Sequence, residues 1–380
     1  MPMKTAVVAT SRKENERRVP LHPRHLEGLQ EAIRENLWLE SGYSRPFGFG
    51  DRWLEDRVAG LASREVLFES SELVLLAKPL PEDLRELPKR TVLWGWPHCV
   101  QQTEMTQAAI DRRLTLIAFE EMFRWRRDGR KGMHLLARNN EMAGYCGVLH
   151  GLEIAGIDGL YGRPRRPVTL LSFGSVSRGA AYALQRRGFE DVTVYTRRPP
   201  HLVADRIPNL RHRQMVRSDD GSFTLAVRES GERVPLVQEL SGTDLIVNGT
   251  LQNPENPLMY FREGEEERLE EGTLIVDVSC DEGMGFPFAR PTTFDEPVVT
   301  VGPVTYYAVD HTPSYLWRAA SWEVSVALLP YLETVMEGPE AWSREPTIER
   351  AIEIREGRVL NPKILSFQGR EEEYPHRIVD

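Results

Sequence analysis

The segment that most constrains this chain is Val168 to Gly188, VTLLSFGSVSRGAAYALQRRG. An apolar run of strand type, Val168 to Phe173, ends in the turn Gly174 to Gly179 and passes into a helical AAYALQRRG. Strand, glycine turn and helix in that order open a dinucleotide-binding unit, because the turn aims the N–H groups of a helix start at an anion. Gly174, Ser175, Val176 and Gly179 are therefore candidate cofactor-binding residues. The turn reads GxVxxG: Val176 stands where glycine normally lets the pyrophosphate approach the backbone. The next strand-type run is Asp191 to Thr196 (DVTVYT). NAD enzymes place an acid at its end for the ribose hydroxyls. Here the residues are Thr196, Arg197 and Arg198. An acid would repel a 2′-phosphate, whereas two guanidiniums would hold one by charge-assisted bonds. The expected cofactor is NADP(H) in preference to NAD(H).

Asp244 to Asn248 and Thr273 to Val278 continue the pattern, so the middle of the chain reads as a Rossmann-type α/β domain. A second strand set precedes it: Lys4 to Thr10, Leu73 to Ala77, Thr91 to Trp96 and Leu114 to Phe119. Helical patterns between them, such as His22 to Glu35, predict a second parallel sheet. Ser41 to Asp51 reads as loop, and Leu160 to Pro167, with its Gly, Pro and Arg, as linker. Glu141 to Gly156 reads as a helix whose small residues Ala143, Gly144, Gly147, Gly151 and Ala155 share one stripe. Trp317 to Thr334 reads as a helix interrupted at Pro330, followed by a charged, partly ordered tail.

Composition narrows the function. Lys plus Arg is 48 against 57 Asp plus Glu, a net charge of −9. That excludes a general nucleic-acid or anionic-membrane binder, which needs a basic face. No apolar stretch approaches the roughly 18 residues of a membrane helix. Cys99, Cys146 and Cys280 are far apart and form no CxxC, so neither a disulfide framework nor a zinc site is expected. A reduced, cytoplasmic setting follows. Small molecules are the expected partners, with a homodimer favoured by the prevalence of two-fold symmetry.

Lys78 and His98 both lie where strand-type runs give way to loop. Ligands of open α/β sheets bind off those carboxyl ends. A Lys whose proton affinity is lowered and a His that titrates near neutrality could move protons both ways at pH 7. Arg18, in ENERRVPLHP, could clamp a carboxylate. Asp277 and Asp281 in DVSCDEG, and Asp310 beside His311, are further candidates.

KENERRVPLHP, LLAKPLPED, WGWPHCVQ, the GSVSRGA turn, DVSCDEG and VDHTPSYLW occur in that order. Together they resemble the superfamily of alanine dehydrogenase, saccharopine dehydrogenase and carboxyethylornithine synthase, from about residue 3 to residue 335. ERRVPL is most like carboxyethylornithine synthase; AKP, HCxxQ and DHxPS are also similar to lysine-forming saccharopine dehydrogenase. The resemblance implies a discontinuous catalytic domain, residues 1–137 and 305–380, of formate/glycerate dehydrogenase type. An NADP-binding doubly wound domain, residues 138–304, is inserted in it. It also implies roles: Arg18 grips the oxo-acid carboxylate, Lys78 and His98 are the catalytic pair, Asp281 lies near the nicotinamide, and Asn248, Gly249, Thr250 and Leu251 form the loop beside its ring. The expected reaction joins the amine of an amino acid of ornithine or lysine type to pyruvate or 2-oxoglutarate. Glu120 or Glu121 would receive the amine's cationic end, unless both are exposed carboxylates at a helix start, and Asp310 would contact substrate. The rivals are a simple amino-acid dehydrogenase of saccharopine or alanine dehydrogenase type and a catalytically silent nucleotide sensor. Val176 and the chain's length depart from the family pattern.

Overall fold

A computed structural model describes residues 2–162, 167–253 and 256–379. The chain divides into two compact units, Met1–Ala137 with Trp317–Asp380, and Arg138–Leu316. The first contains an eight-stranded sheet in the order Arg358–Val359, Ile352–Arg355, Thr115–Ala118, Val92–Gly95, Leu73–Leu76, Thr5–Val8, Leu37–Glu40, Gly60–Ala62. Six of these strands are mutually parallel and the two C-terminal ones are antiparallel additions. Counted in chain order, the parallel six run third, second, first, fourth, fifth, sixth.

Both faces of this sheet are covered, which explains its continuous apolar runs. Val7, Leu73, Leu75, Trp94 and Ile117 face one core with Leu328, Leu332 and Met336 of the long Trp317–Glu337 helix. Ala6, Val8, Val74, Leu76 and Leu93 face the other, with Phe68, Met105 and Ile110.

The second unit repeats the plan. Its sheet runs Arg233–Pro235, Thr224–Val227, Leu210–Arg217, Val192–Thr196, Val168–Leu171, Leu245–Asn248, Thr273–Asp277, Val304–Tyr307, Val298–Val301. The six parallel strands again follow the order third, second, first, fourth, fifth, sixth. Each unit therefore has one place where neighbouring strands send their connections in opposite directions. It lies between Thr5–Val8 and Leu73–Leu76 in the first unit, and between Val168–Leu171 and Leu245–Asn248 in the second.

Several expectations are corrected. The helix expected over His22 to Glu35 is a 3₁₀ turn, Pro23–Gly28, and one short turn, Glu31–Arg34, because Gln30 adopts extended backbone between them. The loop Ser41 to Asp51 holds a 3₁₀ turn at Arg45–Phe47. The last long helix runs through Pro330 to Glu337, held by apolar residues buried on both sides of that proline. The C-terminal segment is ordered: it adds two strands and the helix Pro362–Gln368, and it buries Arg370 and His376. The expected return at residue 305 falls inside the strand Val304–Tyr307, whose pairing keeps residues to Leu316 in the second unit. Within the expected linker, residues 163–166 lie outside the described residues.

The small-residue stripe has a packing role. A Cβ on Gly144 would overlap the carbonyl oxygen of Val176, and one on Gly179 would overlap that of Glu141. The helices Ala137–Ala155 and Ser175–Arg186 thus touch backbone to backbone. Gly144→Ala and Gly179→Ala are each expected to destabilise the protein by about 1–3 kcal/mol through forced separation. Gly242→Ala, with open space around its Cβ position, should be near neutral; thermal unfolding of the three variants checks this.

Candidate active site

In the first unit Lys78 follows the strand Leu73–Leu76 by two residues, and His98 follows its parallel neighbour Val92–Gly95 by three. Lys78 is buried at 9% exposure. The Ser11 hydroxyl, beyond the end of the first strand, donates to the Lys78 carbonyl at 2.9 Å. That bond spans the point where the strand order reverses. Gly95 permits the close approach of the two strand ends, since a Cβ there would overlap the Leu76 carbonyl. His98 has left-handed backbone, φ +49°, which turns the chain sharply and leaves its side chain 40% exposed.

Glu120 ties this group together. Its Oε1 accepts the His98 backbone N–H at 2.6 Å and stands 3.7 Å from His98 Nδ1. Burial, then the charge of Glu353, push its proton affinity well above the ordinary carboxylate range, and the Lys78 ammonium pulls it back in part. The structure thus gathers Lys78, His98 and Glu120 at one sheet edge. Glu121 forms an ion pair with Lys131 at 3.0 Å. The reading of both as exposed helix-start carboxylates does not fit Glu120, whose Oε2 has no solvent-accessible surface.

Arg18 is buried and stacks on the Trp96 ring at 4.8 Å. Its Nε donates to Glu16 Oε1 at 2.9 Å and its Nη2 to Glu16 Oε2 at 2.5 Å. The bidentate edge expected for a substrate is therefore engaged by Glu16. Nearby, Arg17, Glu40, Tyr43, Phe47 and Trp317 line a cavity of about 230 Å³ off the ends of the first two strands. Of the bulky residues around the motifs, Trp94 is core, while Trp317 lies under the Arg17 guanidinium at 4.9 Å.

In the second unit Gly174 precedes the twelve-residue helix Ser175–Arg186, with extended backbone, no side-chain cap and no acid in the first turn. Nothing lies within 4 Å of its Cβ position. This helix start has the open N–H groups a phosphate needs. Val176 fits because Gly249 lacks a side chain: a Cβ on Gly249 would stand 2.9 Å from Val176 Cγ1 and 2.7 Å from the Ser177 hydroxyl. The Gly249 amide donates to the Leu171 carbonyl at 3.2 Å, and the Ser172 hydroxyl to the Gly249 carbonyl at 2.8 Å. The turn and the Asn248–Leu251 loop are thereby joined at this unit's reversal point. Thr196 is buried, and its hydroxyl donates to the Arg198 carbonyl at 2.8 Å, forming a tight turn. Arg197 and Arg198 are exposed, and no carboxylate pairs with either among the described residues. These features suit a nicotinamide dinucleotide.

Asn248 is fully buried, with its amide engaged at both ends. Nδ2 donates to Asp277 Oδ1 at 2.9 Å, and Oδ1 accepts from the Thr250 N–H at 3.1 Å and the Tyr260 hydroxyl at 2.7 Å. Asp277 also accepts from Tyr306 and from the Ser279 and Cys280 N–H groups. Burial raises its pKa to about 6 despite these donors. Asn248 and Asp277 therefore shape the loop from beneath, leaving Leu251 91% exposed at its tip. Asp281 is half-buried and also raised to about 6, by burial. Asp310 accepts or shares a proton with His311 Nδ1 at 2.6 Å. Sequence reading missed Glu16, which holds Arg18 from two residues away, Tyr260, which hydrogen-bonds Asn248 from a distant segment, and Glu353, whose charge raises the proton affinity of Glu120.

The C-terminal domain of alanine dehydrogenase/PNT matches residues 192–362, and the N-terminal domain of the same family matches residues 7–143. N(5)-(carboxyethyl)ornithine synthase of Clostridium botulinum is 24% identical over 82% of this chain and 89% of its own length. Alanine dehydrogenase of Halomonas elongata is 27% identical over 87% of each. A solved L-alanine dehydrogenase shares the fold with a TM-score of 0.72, 21% identity, and coverage of 96% of this chain and 98% of its own. A transhydrogenase from Sinorhizobium meliloti does so with a TM-score of 0.70, 17% identity and coverage of 94% and 99%. With both domain types in the family's order over most of its length, the chain belongs to the alanine dehydrogenase/PNT family of oxidoreductases.

Proposed function

We propose that the protein catalyses NADPH-dependent reductive condensation of an amino-acid amine with a 2-oxo acid, giving a secondary amine of opine type. The observation that carries this reading is the pairing of buried Lys78 with half-exposed His98 at adjacent strand ends, backed by Glu120. A pure nucleotide sensor has no use for such an acid–base set.

Lys78 accepts a proton from the incoming ammonium, freeing the amine to attack the carbonyl. His98 donates to the carbonyl oxygen, so that the carbinolamine loses water. For Arg18, stacked on Trp96, to grip the oxo-acid carboxylate, that carboxylate must displace Glu16 from the guanidinium's bidentate edge. Glu120 holds the His98 backbone in its left-handed turn and so aims the imidazole. NADPH, when bound, supplies the hydride that reduces the resulting iminium carbon. The residues that would hold it are the Gly174–Gly179 turn, Thr196, Arg197 and Arg198, the Asn248–Leu251 loop and Asp281. The cavity beside Arg17 has room for the side chain of an amino acid larger than alanine.

Oxidation of NADPH is measured with pyruvate or 2-oxoglutarate, each combined with ornithine, lysine or ammonium. Turnover that requires the organic amine establishes the reaction; turnover with ammonium alone assigns an alanine dehydrogenase-type activity; none with any pair, despite tight NADPH binding, points to a different amine or to the sensor reading. Lys78→Met should lower kcat by about 10²–10⁴ with NADPH affinity unchanged. An undiminished rate would remove Lys78 from the mechanism. Replacing both Arg197 and Arg198 by Ser should weaken NADPH binding about tenfold or more, the equivalent of about 1.4 kcal/mol, and leave NADH binding unaltered. Fluorescence titration of the two reduced cofactors measures both, and equal wild-type affinities would refute the preference.

A further inference from the structure

The helix Trp317–Glu337 is apolar on two faces, and only one of them is covered. Val324, Leu328, Leu332, Val335 and Met336 pack into the core of the first unit. On the opposite face Ala319, Trp322, Val326, Pro330 and Glu333 are exposed, Trp322 at 44% and Val326 at 48%. A surface helix normally turns a charged face to water, and a helix apolar all round is a buried one. The exposed stripe borders a groove of about 560 Å³, lined by Leu29 and Ile33 on one side and by Leu329, Pro330 and Glu333 of the helix on the other. Trp322 forms a fixed ridge near it. Its ring packs edge-on against His25 at 4.2 Å and His22 at 5.0 Å, and His25 Nδ1 stands 2.8 Å from the Ser325 hydroxyl. Ridge and groove are evenly placed: Trp322 and Pro330 lie four residues either side of Val326, and Ala319 and Glu333 lie seven.

We infer that this face joins two copies of the chain, with the two Trp317–Glu337 helices antiparallel about a two-fold axis at Val326. Such an axis makes the contact self-complementary. Val326 meets the partner's Val326, and each Trp322 lies on the partner's Pro330 at the edge of the groove. Charge agrees with this pairing. Each Ala319 faces the partner's Glu333, and its small side chain leaves room for Arg318 to reach that carboxylate. Glu333 has no ion pair among the described residues. Arg318 is exposed and gives one N–H to the Pro46 carbonyl, and a guanidinium has five to give. The polar groups at the centre agree as well. Pro330 brings no N–H, so the Val326 carbonyl lacks the helical donor one turn on. That carbonyl opens towards Pro330, where the partner's Trp322 comes to lie. The Trp322 indole N–H has no hydrogen-bond partner among the described residues, and buried indoles take one.

This contact is independent of the reductive-condensation reading, and its test needs no turnover. Sedimentation equilibrium of the full chain at micromolar concentration should give a dimer, or a larger even-numbered assembly built from such dimers. A monomeric wild type overturns the inference and leaves the face to a partner of another kind. Trp322→Glu combined with Val326→Glu should halve the mass, or raise the dimer Kd about a hundredfold or more. An unchanged mass places the contact elsewhere and overturns the inference. Arg318→Glu should raise Kd about tenfold, and adding Glu333→Arg should bring it back. A double variant no tighter than Arg318→Glu overturns the antiparallel pairing. Val326→Cys keeps the test open if the glutamate variants fail to fold. The three native cysteines are buried, so mild oxidation of this variant should link two chains through residue 326 alone. A dimeric Val326→Cys protein that stays unlinked overturns the axis.

Discussion

Both candidate sites depend on one topological constraint, the reversal of strand order in a parallel sheet. Where two neighbouring strands send their connections to opposite faces, the loops part and a crevice opens at their carboxyl ends. The first unit places Lys78 there, tied across the reversal by the Ser11 hydroxyl. The second places the Gly174–Gly179 turn there, tied to Gly249. The two ties do the same work with the same chemistry, a serine hydroxyl donating to a backbone carbonyl in each case. The candidate groups are thus fixed to rigid strand ends, Lys78 buried and His98 part-exposed.

Charge is handled by burying it in pairs. Arg18 meets Glu16, Asp83 meets Arg12 and Arg64, and Asp277 collects donors from Tyr306, Asn248 and two amides. Glu120 and Glu353 differ, because neither faces a cation in hydrogen-bonding contact among the described pairs. Buried like charges are costly unless a proton is retained.

Much of this was legible in the sequence because it is local. Continuous apolar runs such as VTLL and LVLL mark strands buried on both faces, and the GSVSRG turn marks the helix start. Lys78 and His98 were readable as candidates because strand ends are where such sheets work. What could not be read depends on distant pairing. Val176 looked like a defect until Gly249, 73 residues later, was seen to make room for it. The C-terminal segment looked like a tail because its charged residues hide the alternation of Ile352 and Ile354. Edge pairing with Leu116 and Ile117 orders it. Glu353 was invisible for the same reason. Pro330 suggested a break, but apolar burial along the rest of that helix outweighs one missing hydrogen bond.

The discontinuous first unit sets an order of events during synthesis. Residues 138–316 form one uninterrupted unit and can close as soon as they leave the ribosome. The first unit cannot, since Trp317–Glu337 covers one face of its sheet and Ile352–Arg355 completes the edge against Thr115–Ala118. Its earliest strands must wait, with apolar faces such as Leu73–Leu76 exposed, until residues 317–355 have been made. The nascent protein thus holds a closed nucleotide-type unit between two unfinished halves, and a premature stop before residue 352 would strand the first sheet without its partner.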